Sequence, residues 1–133
     1  MITREEKLSI LTEMIAFAKS DNKVSEVEYS FLLAVANQIG VDKSEFDALF
    51  HHPAPLKPIA NESERIVQFH RLVLLMNIDQ NVHEEERIRL HQFGLRMGLN
   101  PLAMDKVLEI MTEYENNLIP PDVLLGIFKT YYN

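Results

Sequence analysis

The chain has 133 residues, 47% of them apolar, no cysteine and a formal net charge of −7. That size and apolar content suit one folded domain with a real core and exclude a disordered segment. The lack of cysteine excludes disulfides, thiolate metal sites and cysteine nucleophiles and fits a reducing compartment, while the acidity makes nucleic acid and anionic membrane poor partners.

The opening stretch MITREEKLS carries two glutamates and no apolar h-region, so it does not read as a signal peptide. No apolar run approaches the roughly 20 residues of a transmembrane helix. The expectation is a soluble, cytoplasmic protein with no direct membrane insertion.

Along the chain the pattern is helical throughout, with no sustained strand alternation. Helices are predicted over about 4–20, 25–39, 43–50, 62–78, 84–97, 101–117 and 121–132. Their starts are legible. Thr3 and Glu6, Ser25 and Glu28, Asp42 and Glu45, and Asn61 and Glu64 each place a capping residue three before a glutamate. In that capping-box spacing the cap oxygen accepts an orphan N–H and the glutamate reaches back. Asn100-Pro101 is a further start, with proline at the first helical position. Two stops match: Gly40-Val41 and Gly98-Leu99 each end a helix on glycine followed by an apolar residue. One face carries Phe31, Leu32, Val35 and Ile39; another carries Met104, Val107, Leu108 and Met111. The stretch HHPAPLKPIAN, residues 51–61, holds three prolines and reads as a linker between two halves.

The halves repeat. Shifted by 58 positions, Asp21 falls on Asp79, Val24 on Val82, Glu26 on Glu84, Glu28 on Glu86, Leu32 on Leu90 and Gly40 on Gly98. The expected architecture is all-α: a single domain over 1–133 with repeat one at about 4–50 and repeat two at about 62–117. These would be two three-helix units related by a pseudo-twofold axis. A C-terminal helix at 121–132 has no counterpart in the first half, and its apolar side, with Val123, Leu124, Ile127, Phe128 and Tyr131, is expected to cover the core.

The duplicated turn D-x-x-V-x-E-x-E, between two helices of an all-helical chain, resembles the TerB-like family, whose namesake is a tellurite-resistance protein. The resemblance spans roughly residues 5 to 117. The family's turn glycine is Asn22 in the first copy and Gln80 in the second. The resemblance implies a small acidic helical domain of stress-response systems, with divalent-metal binding through its acids rather than a firmly assigned reaction. The matching acids are Asp21, Glu28, Asp79 and Glu86.

Two readings of those acids compete. In one, Ser25 caps a helix, Glu28 closes the box, and Glu84, Glu85 and Glu86 sit at the positive end of a helix dipole. In the other, the carboxylates hold a hard cation, calcium or magnesium. An EF-hand is excluded. From Asp21 the third position is Lys23; from Asp79 the sixth is Glu84 and the twelfth Leu90, where glycine and a bidentate glutamate are required. The five histidines form no zinc signature. His70 and His91 read as partly buried helix residues. Arg89 and Arg96 share a helix side, but Glu85 stands four before Arg89, the order of a solvated ion pair, and no aromatic platform accompanies them.

No nucleophile elbow, P-loop or dinucleotide fingerprint occurs. The sequence therefore favours a non-enzymatic interaction or sensor domain with an unidentified protein partner. The alternative is a metal-dependent enzyme using the same carboxylates. A helix-mediated homodimer, with Tyr131 and Tyr132 as a surface, is compatible with either.

Overall fold

The computed structural model describes residues 2–19, 23–78 and 84–131. Among them there are seven α-helices and no strand, as the patterning predicts. They fall into two compact units, Met1–Ile59 and Ala60–Asn133.

The first unit holds α1 (Arg4–Ala18), α2 (Glu26–Gln38) and α3 (Lys43–Ala48). Thr3 opens α1 with a complete capping box: its hydroxyl accepts from Glu6 N–H at 3.1 Å, and Glu6 Oε1 accepts from Thr3 N–H at 2.9 Å. Ser25 does the same for α2 with Glu28. Asp42 caps α3 by accepting from Glu45 N–H at 2.9 Å, but Glu45 turns outward to an ion pair with Arg4 instead of closing the box. The core of this unit is built from Ile10, Leu11 and Met14 of α1, Leu32 and Val35 of α2, and Phe46 of α3, all buried. The expected apolar face of α2 is narrower than its sequence pattern, for Phe31 and Ile39 are only half-buried. Phe46 stands edge-on to Phe50, with ring centroids 5.3 Å apart.

The proline-bearing stretch after α3 does more than connect. Pro53, Pro55 and Pro58 keep it out of helix, so its remaining peptide groups need outside partners. α1 supplies them. Ser9 Oγ accepts from Lys57 N–H at 2.8 Å and lies 3.2 Å from Lys57 O, to which it donates. Thr12 Oγ1 accepts from Ala54 N–H at 3.1 Å. Ser9 and Thr12 are buried polar residues beside the apolar core side chains of α1, and this is why they are tolerated there.

The second unit holds α4 (Glu62–Met76), α5 (Glu84–Arg96), α6 (Pro101–Ile110) and α7 (Pro121–Thr130). α4 packs on α5 and α7, α5 on α6, and α6 on α7. Gly94 sits where α5 meets α6: a Cβ there would overlap Met104 Sδ. The last helix is part of this core, as its apolar side predicts. Leu124 and Phe128 are buried, and the Phe128 ring meets Phe69 of α4 edge-on at 5.8 Å. Asn100 joins the two ends of this packing. Its Oδ1 accepts from Leu102 N–H at 2.8 Å as the α6 cap, and its Nδ2 donates to Tyr131 O at 2.6 Å.

One helix is shorter than its pattern. The expected 101–117 segment is α-helical only to Ile110, then tightens into two 3-10 turns, Met111–Glu113 and Glu115–Asn117. Thr112 Oγ1 bends back to Glu109 O at 3.4 Å, Tyr114 is extended, and Asn117 adopts a left-handed φ of 59°. The Thr112 side chain bonds back to Glu109 O just past the end of α6, where apolar spacing alone would continue the helix, and the left-handed Asn117 ends the second 3-10 turn.

Both glycine stops form the expected left-handed cap. Gly40 has φ 85° and Gly98 φ 76°. Val41 N–H donates to Ala36 O at 2.8 Å and Leu99 N–H to Gly94 O at 3.0 Å, the Schellman pattern. A Cβ at Gly98 would meet nothing within 4 Å, so a substitution there reports backbone strain alone. Gly98→Ala is expected to lower the unfolding free energy by about 1–2 kcal/mol in urea denaturation, with the m-value unchanged.

His70 on α4 is half-buried and its Nε2 has no hydrogen-bond partner among the described residues. Burial holds its pKa below the usual 6.5, the Ile119 backbone bond pulls the other way, and the nearby Arg71 charge lowers it further. The unfolded chain therefore binds the proton more readily than the folded one. Stability is retained above about pH 6.5 and falls as pH drops below it. The drop in Tm between pH 7 and pH 5 should shrink in His70→Gln; an unchanged pH profile would contradict this.

Candidate functional site

The start of α2 borders an open cleft of the first unit, about 770 Å³ in volume. Its wall on the α2 side is Val24, Ser25, Glu26, Tyr29 and Ser30. Lys19, Asp47, Phe50 and His51 complete it. The helix periodicity of α2 explains the first set: Glu26, Tyr29 and Ser30 fall on one side of its first two turns. The second set comes from the end of α1, from α3 and from the turn that closes it.

The polar groups of the cleft are already organised. Tyr29 Oη donates to Asp47 Oδ1 in a short bond, and Lys43 Nζ donates to Asp47 Oδ2 at 2.7 Å. Lys43, then Tyr29, hold the Asp47 carboxyl below the usual 3.8, and Asp47 in turn raises Lys43 above the usual 10.5. Asp47 is therefore ionised at neutral pH. Lys19 Nζ donates to Phe50 O at 3.2 Å and lies 5.4 Å from the Phe50 ring centroid. The Tyr29 and Phe50 rings, 5.9 Å apart, give the cleft an aromatic floor.

Of the four acids singled out from the sequence, Glu28 and Glu86 are described. Asp21 and Asp79 lie outside the described residues, as do Asn22, Gln80, Val82, His83 and Tyr132. Glu28 is engaged in the cap: its Oε1 accepts from Ser25 N–H at 2.9 Å, while Ser25 Oγ accepts from Glu28 N–H at 3.1 Å. Glu86 lies half-buried in the first turn of α5. Among the described residues no three His, Asp or Glu side chains come together in a way that would hold a metal ion. The expected Glu85–Arg89 pair is not among the ion pairs of the described residues; His91 instead meets Asp105, Nε2 to Oδ1 at 3.2 Å, across α5 and α6. That pair borders a smaller groove of about 330 Å³ in the second unit, with Glu84, Arg87 and Gln92.

Tyr29, Asp47, Lys19 and Phe50 escaped the sequence reading. Lys43 and Asp47 at four-residue spacing are the one local signal among them, and such a pair reads as ordinary helix-surface charge. Tyr29 and Asp47 are 18 positions apart, and only packing of α2 on α3 unites them.

Among the described residues the fold is all-helical, and Glu28 of the first acidic motif belongs first of all to a helix start. The family model for Tellurite resistance protein TerB matches residues 1–51, which covers the three helices of the first unit and the cleft beside them. Over that span the chain is similar to that family. No curated protein and no solved structure matches it.

If Glu28 works as a cap, its charge matters less than its acceptor oxygen. Ser25→Ala should cost about 1 kcal/mol of unfolding free energy, and Glu28→Gln, which keeps an acceptor, less than half of that. Equilibrium denaturation of both variants makes the comparison; a Glu28→Gln loss larger than that of Ser25→Ala would assign the carboxylate another role.

Proposed function

We propose that this protein is a non-enzymatic, stress-related interaction or sensor domain of TerB-like character, acting in the cytoplasm. Its first unit binds an exposed segment of a protein partner in the cleft at the start of α2. The observation that carries this reading is the cleft itself: an aromatic floor of Tyr29 and Phe50 rimmed by Lys19 and His51 and by Glu26 and Asp47. A site of that make-up suits a short peptide that buries one apolar side chain and meets both charge signs at its edges. Because Asp47 is already bonded to Tyr29 and Lys43, little side-chain ordering is left to be done on binding.

The duplication belongs to the same proposal. The two Schellman caps stand 58 positions apart, the offset that superposes the acidic turns, and this supports descent of both units from one helical unit. A calcium or magnesium ion held by Asp21 with Glu28, or by Asp79 with Glu86, is the companion reading, supported for the first pair by the TerB-like match over residues 1–51. It requires a Glu28 oxygen beyond the Oε1 used in the cap. The metal-dependent enzyme alternative needs those same oxygens to converge on a substrate.

The test places a photo-crosslinking side chain at Ser30, an exposed residue of the cleft wall, in living cells. A discrete adduct that disappears when Glu26 is changed to Lys supports the cleft. Crosslinking that ignores Glu26→Lys counts against it. Amide spectra recorded during calcium and magnesium titrations address the companion reading: saturable shifts confined to residues near 23–28 and 84–86 support the cation, and unchanged spectra at millimolar metal remove it.

A further inference from the structure

The outward face of α5 exposes two large apolar side chains one above the other, whereas α2 exposes a single one, Val27. Ile88 and Leu95 keep 51% and 49% of their surface accessible. They lie seven residues apart on one side of the helix, with exposed Gln92 between them. At the corresponding places of α2, 58 positions earlier, the exposed residues are Ser30 and Asn37. A helix packed in this way does not require an apolar outer face.

The charges beside the stripe have a definite order. Glu85 and Arg96 lie on the same edge, one in the first turn of α5 and the other at its last residue. Among the described residues neither has an ion pair within its own chain. The Arg96 guanidinium lies over the Phe93 ring, 4.5 Å from its centroid, which favours its presentation at this edge. An acid at the start and a base at the end of one edge is a self-complementary arrangement. Turned end for end about a twofold axis between Ile88 and Leu95, a second α5 places its Leu95 against Ile88 and its Arg96 about two residues, or roughly 3 Å, along the axis from Glu85. The twofold axis makes both contacts twice. Antiparallel packing also sets each helix dipole against the opposite pole of its partner.

We propose that α5 is a homodimer contact, in which the Ile88–Leu95 stripe pairs antiparallel with the same stripe of a second copy of this chain. The occupant is a second copy because the charge order complements itself. A helix of 13 residues is only about 20 Å long, so the contact falls below the 1,200 Å² of a standard interface. Association is therefore weak and concentration-dependent, with a Kd of roughly tens to hundreds of micromolar. This proposal stands apart from the cleft of the first unit, and its test does not involve that cleft.

The test is sedimentation equilibrium of the full chain from about 10 µM to 1 mM, with circular dichroism confirming that each variant is folded. The expected result is a reversible dimer. Leu95→Lys, at an exposed position, should abolish it. Glu85→Arg and Arg96→Glu should each weaken it about tenfold, and the double exchange should restore it to within about threefold. A chain that stays monomeric at 1 mM overturns the proposal. So does a dimer that survives Leu95→Lys, or a double exchange no better than the singles.

Discussion

Unpaired backbone groups at helix ends are the constraint on which this chain depends. Its helices run from six to 15 residues, lengths at which an isolated helix in water is marginal. Each must therefore have its first N–H groups satisfied and its apolar side buried at once. Thr3, Ser25, Asp42, Asn61 and Asn100 meet the first need with a side-chain oxygen in every case. Gly40 and Gly98 release the chain at two of the far ends.

The same rule explains the buried polar residues. Ser9 and Thr12 are buried on α1 because the proline-bearing stretch beside it has peptide groups to bond. Sequence reading treats that stretch as a linker, since proline breaks helices. It cannot show that the stretch lies along α1, because the contact depends on residues more than 40 positions apart.

For function, the consequence is competition for one set of oxygens. A carboxylate that closes a capping box has an acceptor committed to backbone, and Glu28 is in that position. The richest chemistry of the first unit instead lies one turn further along α2, where Tyr29, Asp47 and Lys43 are bonded to one another beside an aromatic floor. The acids that attract notice in the sequence do so because they are repeated and local; the Tyr29–Asp47 pair is neither.

What the sequence by itself determined is everything governed by neighbours a few positions apart. The all-helical class, the five N-caps, the two glycine stops and the resemblance supported by the match over residues 1–51 are all of this kind. Capping and helix periodicity act over three to five residues, so they are written in the local pattern. Only the tertiary structure decided that Tyr29 meets Asp47, that Asn100 ties α6 to the end of α7, and that Ile88 and Leu95 face outward while Leu90 and Phe93 face inward. Each of those depends on which side of a helix its neighbours cover. Spacing defines the faces of a helix, but packing chooses which one is buried.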